Sequence, residues 1–335
     1  MSDEIERNPL VVEQDASGRS YELSAGDSIG ADVIHPPTWF TRALDTPFER
    51  HQVEVEGCPI NYLQWGDATK PGLLLVHGNG AHAQWWSFIA PFLAREYSVV
   101  AMDLSGMGDS GRRDEYTLEL FAKEQIAVCE DAGFFKNEEP PIIIAHSFGG
   151  FVTILTGALY GDRLAGTVIV DSPVNPPERQ SGPPSREIRP HRVYATLDEA
   201  VSRFRLAPPQ PCENLFITDH VARTSVKKVP GGWTWKFDPQ IWRRFDIGDI
   251  QGCLKQTKCR IAIMRGEYSV LLPEEIGAYM FDLLGRAAPV IEIPQARHHV
   301  MLDQPLAFVA AIRALLADWE HSNPSARVGA HVHRG

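Results

Sequence analysis

Three short stretches of this chain carry side chains that could do chemistry together. "IIIAHSFGG" (Ile142 to Gly150) sets Ser147 between an apolar run and a Gly-rich segment. A tight strand-to-helix turn needs small residues two before and two after its centre, and Ala145 and Gly149 supply them. Such a turn pushes the hydroxyl out at a helix N-terminus, where negative charge is favoured. Ser147 then reads as a nucleophile, although an N-cap serine with glycines kept for packing fits the same letters. "LLLVHGNGAHAQWW" (Leu73 to Trp86) ends an apolar run in His77-Gly78-Asn79-Gly80. If Ser147 attacks a carbonyl carbon, the oxyanion needs two N–H donors, and the backbone groups of Asn79 and Phe148 are the natural pair. "IPQARHHVMLDQP" (Ile293 to Pro305) supplies two histidines, His298 and His299. The base for a serine must titrate near neutral pH, as imidazole does. Alone, a loop histidine is more often a surface residue.

These groups need a scaffold that brings them together. From His51 the chain alternates like a strand, and a hairpin with "INYLQWG" follows. Short apolar runs then alternate with helical patterns: "GLLLVHG", "YSVVAMDLSG", "PPIIIAHS" and "GTVIVDSP" read as strands. "WWSFIAPFLAREY", "TLELFAKEQIAVCEDAGF" and "FGGFVTILTGALYG" read as helices. That rhythm predicts a mostly parallel sheet covered on both faces. It stops at Pro173 and resumes with "KCRIAIMRGEYS", "PEEIGAYMFDLLG" and "APVIEIPQA". The gap is rich in Pro, Arg and aromatics and is too long for a bare loop, so a mainly helical insertion is expected. The last helix, "PLAFVAAIRALLADWE", shows Leu306, Val309, Ile312, Leu316 and Trp319 as a core-facing stripe. The resulting division is an N-terminal extension (1–50), a core in two parts (51–172 and 251–320), an insertion (173–250) and a flexible tail (321–335).

Bulk properties narrow the partners. The 335 residues are 44% hydrophobic, enough for a large core, and the net charge of −11 argues against nucleic acid or an anionic membrane as partner. No apolar run reaches the roughly 18 residues of a membrane helix. The acidic start, "MSDEIERNPLVVEQ", has no secretory h-region. Cys58, Cys129, Cys212, Cys253 and Cys259 are scattered without metal-type spacing. A reduced, cytoplasmic setting and no bound metal are expected.

Taken together, the HG strand end, "DLSGMGDSG" (Asp103 to Gly111), the "AHSFGG" turn, "GEYSVLLP" and H-H-V-M-L-D-Q-P resemble the α/β-hydrolase family over about His51 to Trp319. The resemblance implies an α/β-hydrolase fold with a cap domain inserted before the later strands, and no cofactor. It selects His298 as the base, because the family's histidine stands seven residues before the Pro of the closing motif. His299 is left to packing or a hydrogen bond. Ser105 departs from the Arg common in that loop, and no catalysis is carried onto it. The family's usual acid aligns with Ser269, which cannot stabilise an imidazolium by charge. Asp171 in "VIVDSP", at the end of the strand after the nucleophile helix, resembles the placement some members use and is the first choice for the acid. Glu267 is the alternative.

A serine rather than an aspartate at the turn implies acyl transfer. A small-molecule ester or lactone with an apolar acyl or aryl group is the expected substrate. Carbon–carbon bond cleavage of a vinylogous diketone is the second reading, and a non-catalytic binding protein the third. Trp85, Trp233 and Trp235 are the candidate substrate contacts, although Trp85 can equally seat its helix.

Overall fold

The computed structural model describes residues 13–14, 20–21, 35–179, 190–243 and 245–322. The tail expected from residue 321 lies outside this set beyond residue 322, as does most of the extension before residue 35. The extension's described part includes a two-residue pair, β1 (Glu13–Gln14) with β2 (Ser20–Tyr21), and the helix Thr38–Leu44.

The core is one eight-stranded sheet. Its strands in chain order are β3 (Glu49–Val55), β4 (Cys58–Trp65), β5 (Gly72–Val76), β6 (Ser98–Met102), β7 (Ile142–His146), β8 (Gly166–Val170), β11 (Arg260–Gly266) and β12 (Val290–Ile293), with β9 and β10 belonging to the insertion. Across the sheet they run β12-β11-β8-β7-β5-β6-β4-β3. Only β4 runs against its neighbours β3 and β6; the other pairs are parallel. β5, β6 and β8 are buried at every residue, which explains their unbroken apolar sequences. β3 is an edge strand and alternates accordingly.

Each face of the sheet has its own apolar layer. Leu74, Val76, Ile143 and Ile169 pack under the helices Leu118–Asp131 and Phe148–Tyr160. Leu73, Leu75, Ile144 and Val168 pack against Trp86 and the last helix, Pro305–His321. Thr117 caps the helix Leu118–Asp131 by accepting from the N–H of Leu120 at 3.2 Å.

Two expectations are corrected here. "WWSFIAPFLAREY" is not one helix but a 3-10 turn, Ala83–Trp86, and a single turn of helix, Ala90–Leu93. Pro91 is the reason: it lacks an N–H and its ring excludes a preceding helical turn. In the last helix, Leu306 is 47% exposed, whereas Val309, Ile312, Leu316 and Trp319 are buried. At 3.6 residues per turn Leu306 sits about 100° from the centre of that stripe. The insertion, expected to be mainly helical, also carries a hairpin. Its helices are Leu197–Ser202 and Leu215–Thr224, and between that second helix and the core lies a hairpin, β9 (Val226–Val229) with β10 (Gly232–Trp235). Pro230-Gly231 makes the turn, with Gly231 at φ 88°.

The extension is joined to the insertion through aromatic rings. Phe40 of the helix Thr38–Leu44 meets Phe216 of the insertion at 4.9 Å between centroids and Phe88 of the core at 5.7 Å.

Candidate active site

Parallel strands deliver their carboxyl ends to one rim, and the register fixes which residues meet there. His146 pairs with Val170, and Val170 with Met264. Ser147 and Asp171 are each one residue past these ends. Their N–H groups extend the ladder, Ser147 to the carbonyl of Val170 at 2.9 Å and Asp171 to that of Met264 at 2.8 Å. Both residues are forced into positive φ, 53° for Ser147 and 49° for Asp171. Non-glycine residues adopt that region only where the surroundings hold them there.

The turn at Ser147 is possible because its neighbours have no side chains in the way. A Cβ on Gly149 would meet the carbonyl oxygen of His77 at 2.5 Å. One on Gly78 would meet Cβ of Ser147 at 3.1 Å, so the end of β5 lies directly against the nucleophile turn. The N–H of Phe148 opens the helix Phe148–Tyr160, where no intrahelical acceptor exists for it. Asn79 lines the neighbouring cavity.

The side chains form a hydrogen-bonded row. Nε2 of His298 is 3.0 Å from Oγ of Ser147, and Nδ1 of His298 is 2.8 Å from Oδ1 of Asp171. His298 and Asp171 are buried. An ionised carboxylate only accepts, so Nδ1 carries the proton and Nε2 is left to accept from the serine hydroxyl. Asp171 accepts twice more: from the N–H of Gly266 at Oδ2, 2.9 Å, and from the Ser269 hydroxyl at Oδ1, 2.6 Å. Ser269 accepts in turn from the N–H of Leu272 at 3.1 Å, which directs its own proton to Asp171.

Glu267 is not part of this row. Its carboxylate accepts from the N–H of Gln295 at 2.7 Å, and among the described residues it makes no hydrogen bond to His298. The side chain of Arg265 holds the turn from behind, donating to the carbonyls of Leu272 and Glu267 and pairing with Glu292.

Several supporting residues carried no assignment from the sequence. Nε2 of His146 donates to the carbonyl of His298 at 2.9 Å and so fixes the backbone of the histidine loop. His77 is buried with its pKa pushed down to about 4. It accepts from the N–H of Leu104 at Nε2 and donates from Nδ1 to the carbonyl of Gly78. Asp103 accepts from Asn61 and from the N–H groups of Ala83 and Asp109, while burial raises its pKa to about 6. Arg113 donates to Ser105 Oγ and to the fully buried Glu124, which also accepts the N–H of Ser105. Position along the sequence gave no sign of that pairing.

The insertion is clamped to the loop that follows His298. Gln210 donates to both oxygens of Asp303 and accepts the N–H of His299 at 3.0 Å. Asn214 donates to the carbonyls of Leu302 and Asp303.

Beneath the insertion lies a cavity of about 490 Å³, bordered by Asn79, Gly80 and His299 on the core side. Its walls are Trp85, Phe204, Trp235, Phe237 and Trp242. Trp85 and Trp235 are at the cavity. Trp233 is not. Like Trp235 it packs against Tyr194, Ala200 and Val226 of the insertion's own small core, but it does not line the cavity. His299 contacts the ring of Trp85 at 5.5 Å between centroids, and burial together with neighbouring His298 and His146 holds its pKa well below the usual value. A larger depression of about 710 Å³ opens at the opposite, amino end of the strands, lined by Glu96, Glu138, Glu139 and Glu320. Among the described residues its lining holds no serine or histidine. His146, His298 and His299 are the one group among the described residues close enough to hold a metal, with ligand atoms within 4.8 Å of one another. Two of those rings are already engaged in the bonds above.

Sheet order, nucleophile turn and histidine loop define a class, and the sequence profile of the alpha/beta hydrolase family matches residues 73–312. The chain belongs to that family. It is 22% identical over 275 residues to Esterase Rv0045c of Mycobacterium tuberculosis, covering 78% of this chain and 88% of that one. The crystal structure of that esterase superimposes with a TM-score of 0.65, covering 88% of this chain and 100% of the other. The chain is 25% identical over 285 residues to 2-hydroxy-6-oxo-6-(2'-aminophenyl)hexa-2,4-dienoic acid hydrolase of Metapseudomonas resinovorans, covering 79% and 90%. A fluoroacetate dehalogenase of a Burkholderia species is 33% identical over 109 residues, which span only 34% of its length. No helix among the described residues is long and apolar enough to cross a membrane.

Proposed function

We propose that this protein is a serine hydrolase that cleaves a small-molecule carboxylic ester or lactone through an acyl-enzyme. The observation that carries the reading is the row Ser147–His298–Asp171, with both its contacts at hydrogen-bond length. Ser147 Oγ attacks the carbonyl carbon as Nε2 of His298 takes its proton. The tetrahedral oxyanion is received by the N–H groups of Asn79 and Phe148. His298 then passes the proton to the leaving oxygen, the C–O bond breaks, and the acyl group stays on Ser147. Water, deprotonated by His298, releases the acid and restores the serine. Asp171 keeps the imidazole in the competent tautomer and stabilises the imidazolium through its charge. The aromatic walls of the cavity suit an apolar acyl or aryl group.

The similarity to an esterase over most of both chains supports the ester reading. The similarity to a hydrolase of a dienoic acid keeps carbon–carbon cleavage as the second reading, since the same row of residues can serve it. A non-catalytic binding role has no support from the intact row.

A fluorophosphonate probe should label Ser147 in the wild-type protein and leave Ser147→Ala unlabelled. A panel of esters, lactones and vinylogous diketones should then give turnover on the first two. Failure of the folded wild type to label would sink the reading. Turnover confined to the diketones would replace it with the second one.

A further inference from the structure

The charged residues of the cavity wall gather at one edge. Arg203 and Arg205 lie there on either side of Phe204, in the turn after the helix Leu197–Ser202. Among the described residues no Asp or Glu lines the cavity, although acids outnumber bases 43 to 32 in the chain. Two other arginines of the insertion are matched with carboxylates: Arg192 with Glu199, and Arg223 with Asp198 and Asp219. Arg205 donates through one terminal nitrogen to the carbonyls of Ser202 at 3.0 Å and Phe204 at 2.7 Å, and among the described residues it pairs with no carboxylate. Arg203 forms no side-chain hydrogen bond or ion pair among the described residues.

A guanidinium presents a planar fork of N–H donors that fits a carboxylate in two-point fashion. Beside aromatic walls that displace water, such a cation attracts an anion more strongly than it would in open solvent. A site with two unopposed cations at its edge and none of the opposite sign selects by charge, in both encounter and binding. We infer that the substrate carries a free carboxylate besides the bond that is cleaved, and that Arg203 and Arg205 select it. This rests on the ester-hydrolase reading of Ser147 and goes beyond it by naming the substrate class.

The test compares matched pairs. One pair puts the charge on the acyl side, mono-p-nitrophenyl adipate against p-nitrophenyl hexanoate. The other puts it on the alcohol side, the acetate ester of a hydroxyalkanoate against the matching alkyl acetate. In at least one pair, wild-type kcat/KM should favour the anionic member by about tenfold, the size expected of two charge-assisted contacts at a half-exposed site. The preference should shrink with added salt. It should vanish in the Arg203→Ala/Arg205→Ala variant and persist in part in Arg203→Lys/Arg205→Lys. No anionic preference in either pair, or one that survives the double alanine change, overturns the inference. If neither pair is turned over while the fluorophosphonate still labels Ser147, the ester reading has failed instead. The anion site is then read by protection: a phenylalkanoate should slow labelling more than the matching phenylalkanol in the wild type. Equal protection by the two would end the proposal.

Discussion

The ends of β8 and β11 lie side by side on the same rim and offer the histidine two different neighbours. From β8 comes Asp171, buried, in strained backbone and with three donors on its two oxygens. From β11 comes a turn with no carboxylate facing His298. It contributes the N–H of Gly266 and the hydroxyl of Ser269, and both point at Asp171. The turn that looks empty by alignment is thus the clamp for a carboxylate supplied by the next strand. A hydroxyl suits that job because it can accept from Leu272 and donate to Asp171, which a second carboxylate could not do without repulsion.

The contrast can be broken most severely at β8. Asp171→Asn keeps the shape but removes the charge and mismatches the tautomer, so acylation by an activated ester should fall by at least about a hundredfold. Burst kinetics on the purified variant would read this, and a loss under about tenfold would remove Asp171 from the role. A second variant moves the carboxylate across the rim: Asp171→Ser/Ser269→Asp should recover about tenfold over Asp171→Ser alone. A double variant no faster than the single one would mean that only β8 can present the acid. Ser269→Ala deletes one hydrogen bond to a charged group and should cost about 1.5 kcal/mol in the barrier, roughly tenfold in kcat. Ser269→Thr should restore most of it if the hydroxyl is what matters, and equal losses in both would point to packing. The smallest effect belongs to Glu267→Gln. Because among the described residues that side chain accepts only from Gln295, kcat/KM should change by less than about twofold, with any effect seen as a small drop in Tm. A larger loss than for Asp171→Asn would reverse the comparison.

The insertion and the core differ in how far their sequences speak for themselves. Core strands are legible because parallel strands buried on both faces must be unbroken apolar runs, and the strand-to-helix turn at Ser147 demands small residues at fixed offsets. The insertion has neither constraint. Its hairpin from Val226 to Trp235 is short and half-exposed, so alternation is weak, and only Pro230-Gly231 marked it. Which of its aromatics reach the cavity depends on packing, which is why Trp235 does and Trp233 does not. The clamp of Gln210 and Asn214 on the histidine loop joins residues about ninety positions apart, with |i−j| of 88 to 93, and no local pattern announces such a contact.

By itself the sequence determined the sheet, the nucleophile turn, the histidine loop and the vacancy opposite the expected acid, because each depends on residue types at short, fixed spacings. Only the tertiary structure decided what fills the vacancy. Asp171 and Ser269 are 98 positions apart and meet because strand register sets Val170, the end of β8, beside Met264, two residues before the end of β11. Register follows from the packing of whole strands, and a short stretch of sequence cannot encode it alone.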